Sequence, residues 1–326
     1  MRRYIKRILF AAIALLLSGS ILLNFYLMSR LGSGAQGNTQ SDAQSNDLWN
    51  IHFPDANSRD TYASIHNLKE AHKTATGSGI KVGILDWGFG FADHEGFYAG
   101  GKDFMKFSFH EENFNHASEH GFWMAQTLKE IAPDAEIYAL GTYSPDDEEE
   151  WVDAMIEAID WSMDNDIDIL TLSHQAISSK NRERFDQAVN DAIASGIVTT
   201  FIHYDNPDNI LPWGIWNSEG EGYYQRAADI NIFQYDYNTL FTENYARISE
   251  NADFASNYRQ ELFLSVSSMS VVTGGFVALL KEADNTLTPQ QCKEILISTS
   301  HPAAYEGEYA EHVVDMGAAI DYLRKD

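Results

Sequence analysis

Gly79-Ile80-Lys81-Val82-Gly83-Ile84-Leu85-Asp86-Trp87-Gly88-Phe89 is a short apolar run that ends in a carboxylate and a glycine turn. Runs of this kind, rich in Ile and Val and bounded by Gly, read as a strand buried on both faces of a parallel sheet. An Asp at the carboxyl end of such a strand stands where open α/β sheets place their ligand chemistry. Asp before a turn glycine also serves simply to cap the turn. Asp86 therefore carries two readings here, and the residues downstream must separate them.

Working outward, the chain alternates between helical and extended patterns. A helix over residues 62–74 precedes the strand, and a helix over 120–131 and a strand over 136–140 follow it. Val152, Met155, Ile156, Ile159 and Met163 recur at helical spacing. Next come a strand over 167–172, a helix carrying Phe185, Val189, Ala192 and Ile193, and a strand over 197–202. Strands alternating with helices of this length predict a parallel sheet covered on both faces. The second half is less regular, with strands expected over 230–235 and 245–249 and a long helix over 267–281. The single cysteine, Cys292, excludes an internal disulfide framework and a cysteine-based zinc site, and its helical surroundings make it a buried structural thiol.

The amino terminus is a separate matter. Residues 1–7 are basic, and residues 8–28 form an almost unbroken apolar run close to the roughly 20 residues that span a bilayer as a helix. The basic cluster predicts a cytoplasmic amino terminus with the rest of the chain outside. Ser18-Gly19-Ser20 could serve instead as the cleavage site of a secretory signal, but the apolar run resumes at Ile21, which favours an uncleaved anchor. The organisation expected is a signal-anchor segment over residues 1–30, a Gly, Ser, Gln and Asn-rich tether over 31–47, and one domain over 48–326. Five of the 22 Lys and Arg fall in the first 30 residues, which hold no Asp or Glu, so the remainder sets 17 basic residues against 48 acidic ones. A surface that acidic repels phosphate backbones and excludes nucleic acid as a partner.

Two further pieces carry chemistry. Glu119-His120-Gly121-Phe122-Trp123-Met124 puts a histidine at the start of a helix facing the end of the sheet, a position suited to a general base. Ser265-Val266-Ser267-Ser268-Met269-Ser270-Val271-Val272-Thr273-Gly274-Gly275 puts serines at the mouth of a buried, glycine-containing helix. A serine hydroxyl is a weak nucleophile until a base takes its proton, and a helix amino terminus helps to hold developing negative charge.

Asp, His and Ser in that chain order, each at the end of an element, resemble the subtilisin-like serine proteases (subtilases); the order differs from those of the α/β-hydrolases and chymotrypsin. The resemblance covers roughly residues 62–300. Asp86-Trp87-Gly88 stands where the family has Asp-Thr/Ser-Gly, and His120-Gly121 matches its His-Gly-Thr helix opening. Residues 168–173 resemble the strand lining the substrate cleft, and Ala194-Ser195-Gly196-Ile197-Val198 the approach to the oxyanion-hole asparagine. Aligned back from Gly275, the family's Gly-Thr-Ser-x-Ala-x-Pro falls on residues 265–271, which makes Ser267 the nucleophile and Ser268 its neighbour if the register slips by one. Ser265, Met269 and Val271 depart from the pattern, and Gly-Asn at the oxyanion position becomes Tyr204-Asp205-Asn206, leaving Asp205 and Asn206 as alternatives.

The resemblance implies an α/β fold, a subtilisin-like three-layer α/β/α arrangement with a mostly parallel central sheet, here preceded by one transmembrane helix. It implies a membrane-anchored extracytoplasmic endopeptidase acting on proteins or peptides through Asp86, His120 and Ser267, with no cofactor. The departures leave a catalytically inactive domain that binds peptides or a partner protein as the alternative. His116-Ala117-Ser118-Glu119-His120 also matches the inverted zinc motif H-x-x-E-H, but its upstream part reads as loop, not as the helix zinc binding needs. The acidic run at 146–150 lacks the spacing of a Ca²⁺ loop and reads as a solvated turn. No metal site is expected.

Overall fold

A computed structural model of the chain describes residues 49–50, 63–89, 97–105, 120–142, 148–173, 177–202, 204–215, 229–233, 267–305 and 308–325. They fall within one unit, Asp47–Trp216 together with Ala228–Asp326. Its centre is β2 (Lys81–Asp86), buried along its length apart from Lys81. Also defined before the first large helix are β1 (Trp49–Asn50), the short α1 (Leu68–Ala71) and β3 (Gly100–Asp103). Then follow α2 (His120–Ile131), β4 (Glu136–Gly141), α3 (Glu148–Asp164), β5 (Ile169–Leu172), α4 (Ser179–Ala194) and β6 (Val198–Phe201).

Five of these strands form a wholly parallel sheet in the order β3-β4-β2-β5-β6. Alternate residues of β2 point to opposite faces. Val82 and Ile84 join the core beneath α2, while Leu85 joins Leu140, Leu170 and Leu172 beneath α3 and α4. Gly83 is where the second face is most crowded, since a Cβ there would lie 2.8 Å from Leu170 and 2.9 Å from Leu140.

The second half contains β7 (Pro212–Ile215), β8 (Ile230–Phe233), α5 (Ser268–Ala283), α6 (Pro289–Ser298), β9 (His301–Tyr305), β10 (Glu308–Val313) and α7 (Met316–Leu323). A second sheet, not expected from the sequence, runs β1-β9-β10-β8-β7, with an antiparallel β9/β10 pair and parallel neighbours. The first sheet reaches towards it through the Ile210 N–H, which donates to the Thr199 carbonyl at 3.0 Å.

The helices expected over 120–131 and 267–281, the one carrying the stripe from Val152 to Met163 and the one carrying Phe185 to Ile193 form over 120–131, 268–283, 148–164 and 179–194. The helix expected over 62–74 is instead interrupted at Asn67, which adopts a left-handed backbone (φ 50°) and donates through Nδ2 to Asp315 at 3.0 Å. The strand expected over 245–249 and the apolar segment 8–28 lie outside the described residues. Among the described residues no helix is long and apolar enough to cross a membrane. Cys292 is fully buried in α6, and burial pushes its thiol up to about 12.

α5 is buried along nearly its whole length and packs on α2 and on β5 and β6. Gly275 makes room for α2, since a Cβ there would lie 2.6 Å from Ile131. At the other end Glu282 accepts the backbone N–H groups of Thr76, Gly77 and Ser78, on the approach to β2.

His66 is a fully buried titratable group. Its Nδ1–H donates to the Val314 carbonyl at 2.9 Å beside Phe276, and burial lowers its pKa to about 4, with Val314 and Asp315 pushing back. Because the unfolded chain binds this proton near pH 6.5 and the folded chain does not, stability is full above pH 6.5 and is lost as the pH falls towards 4. The loss amounts to about 3 kcal/mol by pH 4. Urea unfolding from pH 7 to 4 should show this decline, and His66→Gln, which keeps a donor for Val314 without titrating, should flatten it.

Candidate active site

The carboxyl end of β2 delivers Asp86 to the edge of the sheet in the middle of the strand order, with no exposed surface. A buried carboxylate is costly unless donors surround it. Here the Trp87 N–H donates to Oδ1 at 2.9 Å, and the His120 Nδ1–H donates to both oxygens, at 2.9 Å to Oδ1 and 2.8 Å to Oδ2. The Asp86 carbonyl accepts from the Thr142 N–H at 3.0 Å and so holds the strand end against β4.

Local sequence explains why the histidine arrives there. Gly88 has φ 70°, a conformation that lacks a steric penalty only for glycine, and it turns the chain away directly after Asp86-Trp87. The start of α2 then docks on that turn. The Gly121 N–H donates to the Trp87 carbonyl at 2.7 Å and the Phe122 N–H to the Gly88 carbonyl at 3.3 Å. A Cβ on residue 121 would lie 2.7 Å from both the Trp87 carbonyl oxygen and Phe89, so the histidine can approach the carboxylate because a glycine follows it.

Donation from Nδ1 to a carboxylate fixes the neutral imidazole as the tautomer whose lone pair is on Nε2. That nitrogen is then a proton acceptor, and 19% of the His120 side chain remains solvent-accessible. The arrangement can abstract a proton at Nε2 while Asp86 stabilises the imidazolium that results.

Ser267 precedes α5, half-buried, with helical backbone angles and no side-chain capping bond, whereas Ser268 lies inside the first turn and is buried. The direction of α5 follows from its contacts. Near its start the Ser270 carbonyl accepts from the Thr200 hydroxyl, and in its last turn Glu282 accepts from the backbone of Thr76, Gly77 and Ser78, ahead of β2. The helix therefore runs against the strand direction and begins at the edge that carries Asp86. α2 runs the same way, from the end of β2 to the beginning of β4. Gly275 meets Leu128 and Ile131, and eight residues separate both Gly275 from Ser267 and Leu128 from His120. The closer contact is Ile131, so at 1.5 Å per residue Ser267 lies about 12 Å before that crossing and His120 about 12–17 Å before it, and both helices begin on the Asp86 side of it.

The two oxyanion alternatives are placed differently. Asp205 is exposed. The Asn206 side chain donates to Asn190 Oδ1 on α4 at 2.9 Å and accepts from the Asp208 N–H. Tyr204, at the position of the family's glycine, is buried against Phe185 and Phe201 and donates to Asp186. Burial, then the bond to Asp186, raises its phenol well above the ordinary tyrosine range. Asn209 is consumed by the backbone, with its amide bonded to Phe201 and Tyr204.

Sequence reasoning passed over Trp87 and Tyr98. The Trp87 indole lies within 4° of parallel to the His120 ring, and Tyr98 donates to the Phe89 carbonyl at 2.6 Å, buttressing the turn. Burial, and then Asp86, raise the Tyr98 phenol well above its ordinary range. An aromatic residue directly after the strand-end Asp was the available signal for Trp87, and nothing in the sequence marked Tyr98. His116, Glu119 and the acidic residues 146–147 lie outside the described residues. Among the described residues no group of three or more His, Cys, Asp or Glu could hold a metal ion.

Comparison with known proteins adds a family context. No protein-family model matches the chain. Over 270 residues it is 24% identical to subtilisin DY of Bacillus licheniformis, spanning 74% of this chain and 91% of that protein. Among solved structures, a protease of Pseudoalteromonas arctica matches with a TM-score of 0.57 over 79% of this chain and 94% of its own, at 17% identity. MycP1 from Mycobacterium smegmatis matches with a TM-score of 0.54 over 86% of this chain and 89% of its own, at 12% identity. These two likenesses are of fold.

Proposed function

The chain belongs to the subtilisin-like serine protease family, and from that premise we propose that it is an active serine endopeptidase with Asp86, His120 and Ser267 as its triad. The observation that carries the proposal is the buried Asp86 carboxylate bonded through both oxygens to His120 Nδ1. Ser267 Oγ attacks the scissile carbonyl of a peptide while His120 Nε2 takes its proton, and the imidazolium then passes that proton to the leaving amine. Water repeats the sequence on the acyl-enzyme. Asp86 stays ionised throughout, orienting the ring and offsetting its charge.

Ser267 is preferred to Ser268 because a nucleophile must be reachable, and Ser268 is buried within the helix. For the oxyanion, an amide donates at any ordinary pH whereas a carboxylate must be protonated to do so. Asn206 rather than the exposed Asp205 is therefore the donor in this reading. Its present bond to Asn190 must open for this role, and that bond is the observation favouring the second reading, a silent subtilisin-like domain that binds peptides or a partner protein. The domain is further proposed to sit outside the cell on a single-pass anchor, on the strength of the mostly apolar 21-residue run at 8–28 behind a basic cluster.

Three measurements test these points. A fluorophosphonate probe should label the protein and its Ser268→Ala variant but not Ser267→Ala, since loss of a triad member costs several orders of magnitude; an unlabelled wild-type chain would support the silent domain. Asn206→Ala should lower kcat by about 10²–10³ with little change in KM, and unchanged kcat would remove Asn206 from the hole. Full-length protein should stay with membranes through an alkaline carbonate wash, and a soluble mature chain beginning near residue 21 would mean a cleaved signal instead.

A further inference from the structure

We propose that Trp87 is a positioning residue that sets the plane of the His120 imidazole, a role resting on the reading of His120 as the base. Nδ1 is held between two carboxylate oxygens at 2.9 and 2.8 Å. Such a forked bond fixes where the nitrogen lies but constrains the tilt of the ring about the bond axis only weakly, because hydrogen-bond angles at a carboxylate are broadly distributed. Nε2 sits on the far side of the ring, so a change in tilt moves the proton-accepting lone pair relative to Ser267. Something flat beside the ring has to define that tilt.

Trp87 supplies the flat surface. Its ring centroid is 6.2 Å from that of His120 with an interplanar angle of 4°, the offset-stacked arrangement that aromatic pairs favour. A second indole, Trp123 on the next turn of α2, lies 6.4 Å away and tilted by 56°, so it packs on the imidazole without being parallel to it. What sets Trp87 apart is how its own position is fixed. Its N–H donates to Asp86 Oδ1, its carbonyl accepts from Gly121 next to the histidine, and its indole lies parallel to the imidazole and offset from it. One residue thus touches the carboxylate, the helix start and the imidazole. The Thr or Ser that the family carries at this place has no flat face to offer, so this device belongs to this chain's own sequence.

The test compares Trp87→Leu, which keeps apolar bulk without a planar face, with Trp87→Phe, which restores a ring. Trp87→Leu should lower kcat by about three- to tenfold, the scale of one lost aromatic pair, with KM unchanged, and Trp87→Phe should recover most of that loss. The second readout does not depend on turnover. In the Ser267→Ala background, the low-field proton resonance of the imidazole Nδ1–H should broaden and exchange faster with water in Trp87→Leu, and stay sharp in Trp87→Phe. Equal kcat and equal resonances in the Leu and Phe variants would overturn the inference, as would a loss shared equally by both. If the unmutated protein takes no fluorophosphonate label, the proposed activity fails, while the resonance comparison still decides the role of Trp87.

Discussion

A carboxylate with no water around it needs donors, and the hydrogen bond from His120 to Asp86 is the one on which the arrangement of this edge depends. The central strand is buried on both faces, so its terminal side chain arrives already stripped of solvent. Breaking the pair by removing the imidazole would leave a buried charge with much of its compensation gone, which is far costlier than losing a surface ion pair. Each local feature nearby serves that contact: Gly88 turns the chain, Gly121 lets the helix start close on the Trp87 carbonyl, and Tyr98 props the turn from behind. The site is a solution to a burial problem before it is a site.

The same logic extends to the helix that begins at Ser267. It is apolar on almost every side, which suits a helix laid between α2 and the sheet. Two adjacent glycines occupy the closest approaches: Gly274 over Thr171 of β5, and Gly275 against Ile131 of α2. Because α2 and α5 run in one direction and cross where Gly275 meets Ile131, the offset between their starts is set by packing deep in the core, well away from solvent. That is how a serine and a histidine nearly 150 residues apart come to share an edge.

Much of this was legible in the sequence, for identifiable reasons. The Asp86 strand, the His120 helix and the long helix after Ser267 announce themselves through apolar runs bounded by Gly, and alternation of such elements specifies a parallel sheet. Of the second sheet only β8 was legible, as the strand expected over 230–235. Its strands are short, Pro212 and Pro302 fall within two of them, and β9 and β10 carry few of the branched residues that mark extended chain. The break at Asn67 escaped as well, since a left-handed residue inside a helical pattern is held there by a partner, Asp315, that lies 248 positions away. The exposure of Asp205 and the bond from Asn206 to Asn190 were equally out of reach, since spacing supplies neither. Trp87 stood in plain view, but its importance lies in a ring orientation that no pattern encodes.

Glu282 gives the molecule a closed kinematic ring. Starting at Ser267, the path runs down α5 to that carboxylate, across to the backbone of Thr76, Gly77 and Ser78, up β2 to Asp86, over to His120, and along α2 to its crossing with α5 at Gly275. In an open linkage small displacements accumulate toward the free end. In a closed one they must cancel around the loop, and a rigid helix and a fully paired strand leave few joints in which to cancel them. The tolerance on the spacing between serine and histidine is therefore governed as much by a carboxylate at the opposite end of the domain as by anything beside the reacting atoms. A displacement at that remote clasp has to be absorbed by the few joints left, among them the helix starts at the edge that carries Asp86.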